Sequence, residues 1–215
     1  MTRTPPRSAR ERIIISWNLL HTGGATVEQV GRLIEAHDPD LFLMQEATAP
    51  IDRLTDLTGG HYARTALPGR RHGLAAWSKA PLRASAASLK LQRGLIVDRI
   101  CQILDLGDLS VANVHLSHGQ ALNRLQLRRV ARALPENAAI LGDCNLIGSP
   151  LLPAFLDVGP RQATHWAANL IALRLDRCFV RGLTCNDSQV LGRGGSDHWP
   201  IMVALEAPQN GAGES

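Results

Sequence analysis

Lysine and aromatic residues are what this 215-residue sequence has least of. Lys79 and Lys90 are the only lysines, and phenylalanine, tryptophan and tyrosine together make up 4% of the chain. The net charge is only +4 and is carried almost entirely by arginine, which indicates a bias in composition before it indicates affinity for nucleic acid. Disordered and fibrous proteins are excluded, because 45% of the residues are hydrophobic.

Cysteine motifs and long hydrophobic runs are also missing. No two of the four cysteines have the Cys-x-x-Cys spacing; they are Cys101, Cys144, Cys178 and Cys185. The absence of this spacing argues against a zinc site or a redox motif and favours reduced thiols in the cytoplasm. No apolar region precedes the first expected strand, and no segment is long enough to span a bilayer. We therefore expect a cytoplasmic protein with no signal peptide and no stable membrane insertion.

The chain is expected to form a single domain. Its length and hydrophobic content suit one core, and no repeat or linker divides it. We place the domain at residues 12–206, with flexible tails at 1–11 and 207–215. Within it, short apolar runs are typical of strands, one of them from Leu95 to Asp105. Two longer helices are expected, one following the capping-box pattern at Thr26 and the other running from about Gln120 to Leu134, and a short helix is expected around Pro150 to Phe155.

Several expected strands end in polar side chains. One apolar run stops at Gly142 and then presents Asp143 and Asn145, which point the same way on an extended chain because they are two positions apart. Asn18 and Glu46 follow the first two expected strands at the corresponding end. Each has a simpler interpretation, since Asn18 resembles a turn residue and Glu46 a solvated strand end. Together they favour a site at one edge of a sheet.

Further candidates lie in the second half of the chain. Asn113 and His115 share one face of an expected strand. Asp176 is flanked by apolar residues in another strand, and a buried carboxylate needs a partner, which we expect to be a histidine. Asp197 and His198 follow a glycine-rich segment and immediately precede the last strand. The two histidines, His115 and His198, add possible acid–base groups to the predicted site.

Taken in order, these residues form a pattern that resembles the endonuclease/exonuclease/phosphatase superfamily, the deoxyribonuclease-I-like hydrolases. The resemblance covers roughly residues 13–205 and depends on the pieces Gly-Asp-Cys-Asn at 142–145 and Ser-Asp-His at 196–198, with Asn18 and Glu46 in the same order. It implies a fold of the α/β (α+β) class, a four-layered sandwich of two packed mixed β-sheets flanked by helices. The site would lie at the strand ends where the two sheets meet.

The resemblance also implies catalytic roles. Asp143 would orient or deprotonate the attacking water, and Asn145 would help to fix the water and the phosphate. His198, held by Asp176, would stabilise the charge that develops on the phosphoryl group. His115 would contact the phosphate and protonate the leaving oxygen. Such chemistry needs charge neutralised on the phosphoryl oxygens and a water aimed in line with the leaving group.

A metal and a phosphate contact complete the expected site. Oxygen ligands from Glu46, Asn18 and Asp197 suit Mg²⁺, with Mn²⁺ as a possible substitute. Asn113 is expected to bind substrate, because it shares a strand face with a catalytic histidine. Arg124 belongs to a helical stripe of arginines that is typical of a solvated face, and we expect it to reach a phosphate.

The expected activity is Mg²⁺-dependent hydrolysis of a phosphodiester or phosphomonoester. A small molecule or a lipid head group is favoured as substrate, because the chain is short and poor in aromatic residues. A DNA endonuclease or exonuclease of the repair type is the alternative. A second alternative is a catalytically silent binding module with the same fold, although the complete set of polar residues argues against it.

Overall fold

The computed structural model describes residue 8 and residues 10–94, 98–167 and 170–208, and strands predominate within them. The strands are β1 (Glu11–Asn18), β2 (Leu41–Thr48), β3 (His61–Ala66), β4 (His72–Ser78), β5 (Ala87–Lys90), β6 (Ile100–Asp105), β7 (Ser110–His115), β8 (Ala138–Asp143), β9 (Leu156–Asp157), β10 (His165–Ala167), β11 (Ile171–Leu173), β12 (Asp176–Arg181), β13 (Thr184–Val190) and β14 (Ile201–Glu206). The helices are α1 (Val27–His37), α2 (Leu54–Thr58) and α3 (Gln120–Ala133), with a short 3-10 helix at Ala49–Arg53.

The strands form two six-stranded sheets and a separate hairpin of β10 and β11. The first sheet has the order β13-β14-β1-β2-β4-β3, and the second has the order β5-β6-β7-β8-β12-β9. Both sheets are mixed, because β1 is parallel to β2 and β7 is parallel to β8, whereas their other neighbours are antiparallel. Parallel partners end at the same edge, so each sheet presents the ends of two neighbouring strands on one side.

Three apolar layers hold the sandwich together. Leu43 of β2 and Leu141 of β8 belong to the cluster between the two sheets. Helix α1 packs Val30 against the outer face of the first sheet, and α3 packs Leu127 against the outer face of the second. The expected sandwich of two packed mixed sheets flanked by helices is thereby confirmed.

Both of the longer predicted helices form. The Thr26 side chain accepts a hydrogen bond from the Gln29 backbone N–H, and the Gln29 side chain accepts one from the Thr26 N–H, which completes the capping box. The helix stops at Asp38, whose φ of 44° is left-handed. The helix expected from Gln120 to Leu134 is α3.

One expected element is wrong. The short helix around Pro150 to Phe155 does not form, and the chain instead turns into β9. Leu151 has a φ of 52°, which is outside the helical region. Pro153 removes one of the backbone donors that a helix there would use.

Parts of two expectations lie outside the described residues. The strand expected from Leu95 begins at Ile100, and residues 95–97 are not among those described. The two expected tails lie outside them for the most part. Within the described ranges, every helix is too short or too polar to cross a membrane.

A polar layer at the centre of the sandwich links the two sheets. Asn113 on β7 is completely buried. Its side-chain amide donates to the carbonyl oxygens of Met44 (3.2 Å) and Ala75 (3.0 Å) in the opposite sheet. Its side-chain oxygen accepts a hydrogen bond from Gln45 Nε2 (2.8 Å). Met44 and Ala75 form the last regular pair before the β2–β4 ladder changes register, so Asn113 supports the backbone at that irregularity.

Candidate active site

Asp143 is the centre of the polar cluster at the strand ends. Its carboxylate is 1% exposed and accepts hydrogen bonds from Asn18 Nδ2 and from the backbone N–H of Asn145, both at 3.0 Å. The same oxygen that faces Asn18 lies 3.3 Å from His115 Nε2 and 3.8 Å from His198 Nε2. Residues from both sheets therefore converge on one carboxylate.

The backbone around Asp143 explains its position. Gly142 has a φ of 139°, and a Cβ atom there would lie 2.1 Å from Val114 O on the neighbouring strand, so only glycine allows this approach. Asn145 has a left-handed φ of 47°, which asparagine tolerates better than most residues. Its side chain donates to Leu116 O (3.1 Å), and its carbonyl accepts from Asn123 Nδ2 (2.9 Å). Asn145 thus fixes the turn that follows Asp143.

His198 and Asp176 form a buried pair. His198 Nδ1 lies 2.8 Å from Asp176 Oδ2, and the other Asp176 oxygen has no hydrogen-bond partner among the described residues. Burial opposes protonation of His198, but the carboxylates of Asp176 and Asp143 outweigh it and raise the pKa of His198 to about 10. The ring is therefore an imidazolium at neutral pH and directs Nε2 toward Asp143. The expected histidine partner of Asp176 is present.

His115 differs from His198 in the direction of its pKa shift. Burial lowers its pKa to about 3, and the charge of Asp143 only partly opposes this. His115 is neutral at pH 7, so only one of its two ring nitrogens carries a proton. Its Nδ1 lies 3.9 Å from Glu46 Oε1. The site therefore combines a neutral and a charged imidazole on either side of Asp143.

Glu46 sits on the β2 irregularity with a left-handed φ of 56°. One carboxylate oxygen accepts a hydrogen bond from the His21 N–H (3.0 Å) and contacts the His21 ring. Burial alone would raise its pKa, but the bonds from His21 and the nearby His72 hold the pKa of Glu46 below its usual value. Glu46 is thus a carboxylate whose second oxygen faces the interior of the site.

The expected metal ligands are compatible with a hydrated divalent ion. Within the described part of the chain, His165, Asp197 and His198 form one group with ligand atoms within 4.8 Å of one another, and Asp143, Asp176 and His198 form another. Glu46 belongs to neither group. Mg²⁺ commonly binds through one or two carboxylates and keeps several waters, so a carboxylate such as Glu46 can serve such an ion without a closed cage of protein ligands.

The side chains of the two predicted substrate-binding residues, Asn113 and Arg124, are bonded to other parts of the protein. Asn113 is completely buried, and its amide is bonded to the opposite sheet, which is not compatible with direct substrate contact. Arg124 donates to Ile147 O (2.8 Å), Ser149 O (3.0 Å) and Gln120 O (2.6 Å). Its guanidinium therefore holds the loop after Asn145 in place instead of pointing a free donor at a phosphate.

Asn113→Ala is expected to lower the free energy of unfolding by about 2–4 kcal/mol. The change removes the buried hydrogen bonds of Asn113 to Met44 O, Ala75 O, Gln102 Oε1 and Gln45 Nε2, and Gln45 Nε2 keeps only its bond to Ser16 Oγ. Urea denaturation of wild type and variant measures the difference. Asn186→Ala, which removes exposed hydrogen bonds, serves as control and should change the value by less than about 0.5 kcal/mol. Equal, small effects of the two changes would contradict a structural role for Asn113.

The sequence comparison agrees with this geometry. A model described as the Endonuclease/Exonuclease/phosphatase family matches residues 15–198. The chain belongs to this family. Among curated proteins, no sequence matches the chain.

Solved structures of low sequence identity share the family's fold. An endonuclease/exonuclease/phosphatase from Bacteroides vulgatus has a TM-score of 0.76 at 14% identity, with 92% of this chain and 99% of that chain covered. D. rerio TDP2 humanized by 14 mutations has a TM-score of 0.70 at 18% identity, with 93% and 100% covered. D. rerio TDP2 complexed with single strand DNA product has a TM-score of 0.71 at 15% identity, with 92% and 99% covered. At these identities the likeness shows the fold alone.

Family membership supports a general chemistry for the cluster. Members of the endonuclease/exonuclease/phosphatase family are generally hydrolases of phosphate esters and typically depend on a divalent metal ion. The acidic and histidine side chains around Asp143 and Asp197 offer possible ligands for such an ion.

Three further residues of this family member border the site and were not predicted from the sequence. His21 bonds Glu46 and stacks on His72, with ring centroids 4.1 Å apart. The His165 ring lies 4.5 Å from the His198 ring. Arg99 directly precedes β6 and is 7% exposed. None of them follows the periodicity of an apolar run, so no local pattern marks them.

Proposed function

We propose that this chain is a Mg²⁺-dependent phosphoesterase that hydrolyses a phosphodiester or phosphomonoester by in-line attack of water activated by Asp143. One observation carries the proposal. Asp143 is buried between a neutral His115 and a protonated His198, while Asn18 and the Asn145 N–H fix its orientation. Such an arrangement provides a carboxylate acceptor for water beside a charged hydrogen-bond donor for a phosphoryl oxygen.

The roles of the residues follow from their charges. The Asp143 carboxylate orients the attacking water and accepts its proton, while the His198 imidazolium donates to a phosphoryl oxygen as negative charge develops there. Asp176 keeps that imidazolium charged and oriented. Neutral His115 donates a hydrogen bond to the phosphate or to the leaving oxygen from the nitrogen that carries its proton. Asn145 acts by holding the turn after Asp143.

Glu46 and Asp197, assisted by Asn18 Oδ1, which also accepts a hydrogen bond from the Leu20 N–H, are the proposed ligands of Mg²⁺, with Mn²⁺ as a substitute. When bound, the ion would supply positive charge that neutralises the phosphoryl oxygens. The proposal is supported by the lowered pKa of Glu46, which keeps this carboxylate ionised, and by the accessibility of Asp197, whose side chain is 40% exposed.

We propose a compact substrate, such as a small molecule or a lipid head group, and a cytoplasmic location. The chain is short and poor in aromatic residues, and the four cysteines are unpaired, which suits a reducing compartment. A DNA-repair type endonuclease or exonuclease is the second candidate. It is favoured by Trp166, which is 41% exposed on the β10–β11 hairpin next to His198 and could stack on a base, and by the TDP2 structure with single strand DNA product.

Hydrolysis of a substrate panel tests these proposals. Wild-type protein is incubated with Mg²⁺ or EDTA and with bis-p-nitrophenyl phosphate, p-nitrophenyl phosphate, an abasic-site duplex or plasmid DNA. Metal-dependent turnover of the small esters alone supports the compact substrate. Cleavage of a DNA substrate favours the second candidate. Turnover that persists in EDTA contradicts metal dependence, and absence of turnover across the panel favours a silent binding module.

Glu46→Gln is expected to weaken Mn²⁺ binding by at least about tenfold. The substitution keeps the shape of the side chain but removes the charge that a hard divalent ion prefers. Isothermal titration with Mn²⁺ measures the effect without reference to activity. Glu35→Gln, which removes an exposed carboxylate of α1, is the matched control and should bind Mn²⁺ like the wild type. Unchanged affinity in Glu46→Gln would remove Glu46 from the proposed ligands.

A further inference from the structure

His165 has a buried ring nitrogen that is not hydrogen-bonded. Its Nδ1 finds no hydrogen-bond partner within the described part of the chain, although the side chain as a whole is 16% exposed. Asp197 Oδ2 lies 3.8 Å from this nitrogen, which is too far for a hydrogen bond. Buried polar atoms of native proteins nearly always have a partner. The nitrogen is therefore available to a ligand that the protein itself does not supply.

Three side chains come together around this nitrogen. His165, Asp197 and His198 each offer one ligand atom, and these atoms lie within 4.8 Å of one another. The centroids of the two histidine rings are 4.5 Å apart. Ligand atoms at about 2.1 Å from a tetrahedral ion lie about 3.4 Å from one another, so small movements of these side chains are enough to place all three around one ion.

The backbone keeps the two histidines side by side. His165 and His198 form an isolated antiparallel bridge between the β10–β11 hairpin and the segment before β14. The Trp199 N–H donates a hydrogen bond to Thr164 O (2.8 Å), and the Thr164 side chain accepts one from the Asp176 N–H (3.0 Å). The fold thus positions these donors in advance, which favours binding of an ion.

The donor atoms select a class of ion. Two imidazoles and one carboxylate suit Zn²⁺ and similar transition-metal ions, whereas Mg²⁺ prefers oxygen ligands. Asp176 Oδ2 lies 2.8 Å from His198 Nδ1, and a carboxylate in this position commonly orients a histidine that binds zinc through its other nitrogen. His198 Nε2 is therefore the nitrogen that would face the ion. No cysteine belongs to this group of described residues.

We propose that His165, Asp197 and His198 bind Zn²⁺ and that the bound ion inhibits hydrolysis. Glu46 lies outside this group, so Asp197 is the ligand that this site has in common with the proposed Mg²⁺ site. A coordinated imidazole nitrogen carries no proton, so Zn²⁺ would replace the N–H of His198 that donates to a phosphoryl oxygen. The ion would also compete with Mg²⁺ for Asp197. Only the inhibition rests on the proposed phosphoesterase function, since binding of Zn²⁺ does not require it.

Calorimetric titration with Zn²⁺ tests the site without turnover. Untagged wild type, His165→Ala, Asp197→Asn and His61→Ala are titrated at pH 7.5 in the absence of other metal ions. We expect His165→Ala to weaken Zn²⁺ binding by about 100-fold or more and Asp197→Asn by at least about tenfold, because each change removes a ligand. His61 is exposed on β3, so His61→Ala is the matched control and should bind Zn²⁺ like the wild type.

Glu46→Gln separates this site from the proposed Mg²⁺ site. It should keep the wild-type affinity for Zn²⁺ while its affinity for Mn²⁺ falls, and His165→Ala should show the reverse pattern. Unchanged Zn²⁺ affinity in both His165→Ala and Asp197→Asn would overturn the proposal. An equal loss of Zn²⁺ affinity in Glu46→Gln and His165→Ala would also overturn it, because the ion would then occupy the Mg²⁺ site.

Hydrolysis of bis-p-nitrophenyl phosphate in Mg²⁺ measures the consequence of binding. Saturating Zn²⁺ should reduce kcat of the wild type by roughly 10²-fold, because a hydrogen-bond donor to the phosphoryl group is lost. The rate of His165→Ala, compared with its own rate without Zn²⁺, should change little. Equal inhibition of the two proteins would contradict inhibition through this site. Absence of any hydrolysis would contradict the proposed function, whereas the calorimetric data alone decide whether the zinc site exists.

Discussion

Asp143→Asn is expected to reduce hydrolysis by roughly 10²- to 10⁴-fold while the protein stays folded. The asparagine has the shape of the aspartate, but it cannot accept the proton of the attacking water. Its amide can also satisfy only one of the two donors that now bond the carboxylate, Asn18 Nδ2 and the Asn145 N–H. We therefore expect a loss of about 1–3 kcal/mol in the free energy of unfolding, which a typical domain tolerates.

The measurement is kcat on bis-p-nitrophenyl phosphate at saturating Mg²⁺, with urea denaturation of the same samples. Asp187→Asn is the matched control, because it neutralises an exposed aspartate on β13 whose carboxylate accepts a hydrogen bond from Gln189 Nε2. The control should keep the wild-type rate. A rate for Asp143→Asn within a few-fold of the wild type would show that another group activates the water.

Asp176→Asn is expected to move the alkaline limit of activity from near pH 10 to the neutral range. In the wild type, the Asp176 and Asp143 carboxylates overcome burial and raise the pKa of His198 to about 10, so the ring stays protonated across the neutral range. Removing the carboxylate that bonds His198 Nδ1 leaves burial opposed chiefly by Asp143, so the pKa of His198 falls. At pH 8 the variant therefore lacks the charged donor, and kcat should fall with rising pH where the wild-type rate remains constant.

The same pair predicts how stability depends on pH. The folded pKa of His198 lies above its unfolded value, so its contribution to stability is fully present below about pH 6.5 and decreases as the pH rises to about 10. Denaturation at pH 6, 8 and 10 measures this contribution as the difference between wild type and Asp176→Asn. The difference should be largest at pH 6 and smallest at pH 10. Asp187→Asn should show no such trend, and a constant difference for Asp176→Asn would contradict the raised pKa.

Site residues at the ends of apolar runs could be recognised from the sequence. Site residues that come together only through tertiary contacts between distant segments could not. Asp143 and Asn18 follow strands whose hydrophobic pattern is clear, so their convergence at one edge follows from strand direction. Arg99 follows no apolar run, and its burial is a property of the folded chain. The alternation of β7 correctly groups Asn113 with His115 on one face, but it does not reveal that the opposite sheet covers Asn113 completely.

Loops were the other part of the fold that the sequence did not predict. A strand repeats every two residues and a helix every 3.6, so both leave a periodic signal. The segment from Pro150 to Phe155 has no such repeat, and a positive φ at Leu151 redirects it into β9. His165 belongs to another irregular stretch, and its contact with His198 depends on a single isolated bridge between two distant segments.

The polar layer around Asn113 also determines how the molecule opens. Separating the two sheets would expose carbonyl oxygens of Met44 and Ala75 to an interface that contains little water, and it would break the Gln45–Asn113 bond at the same time. Such an opening is costly unless solvent enters everywhere, so the sheets should come apart only with global unfolding. Amide protons of β2 and β7 should then exchange with solvent at the slowest rates in the chain. Because Glu46 and His115 lie on these two strands, the site would be among the last parts of the protein to lose its structure.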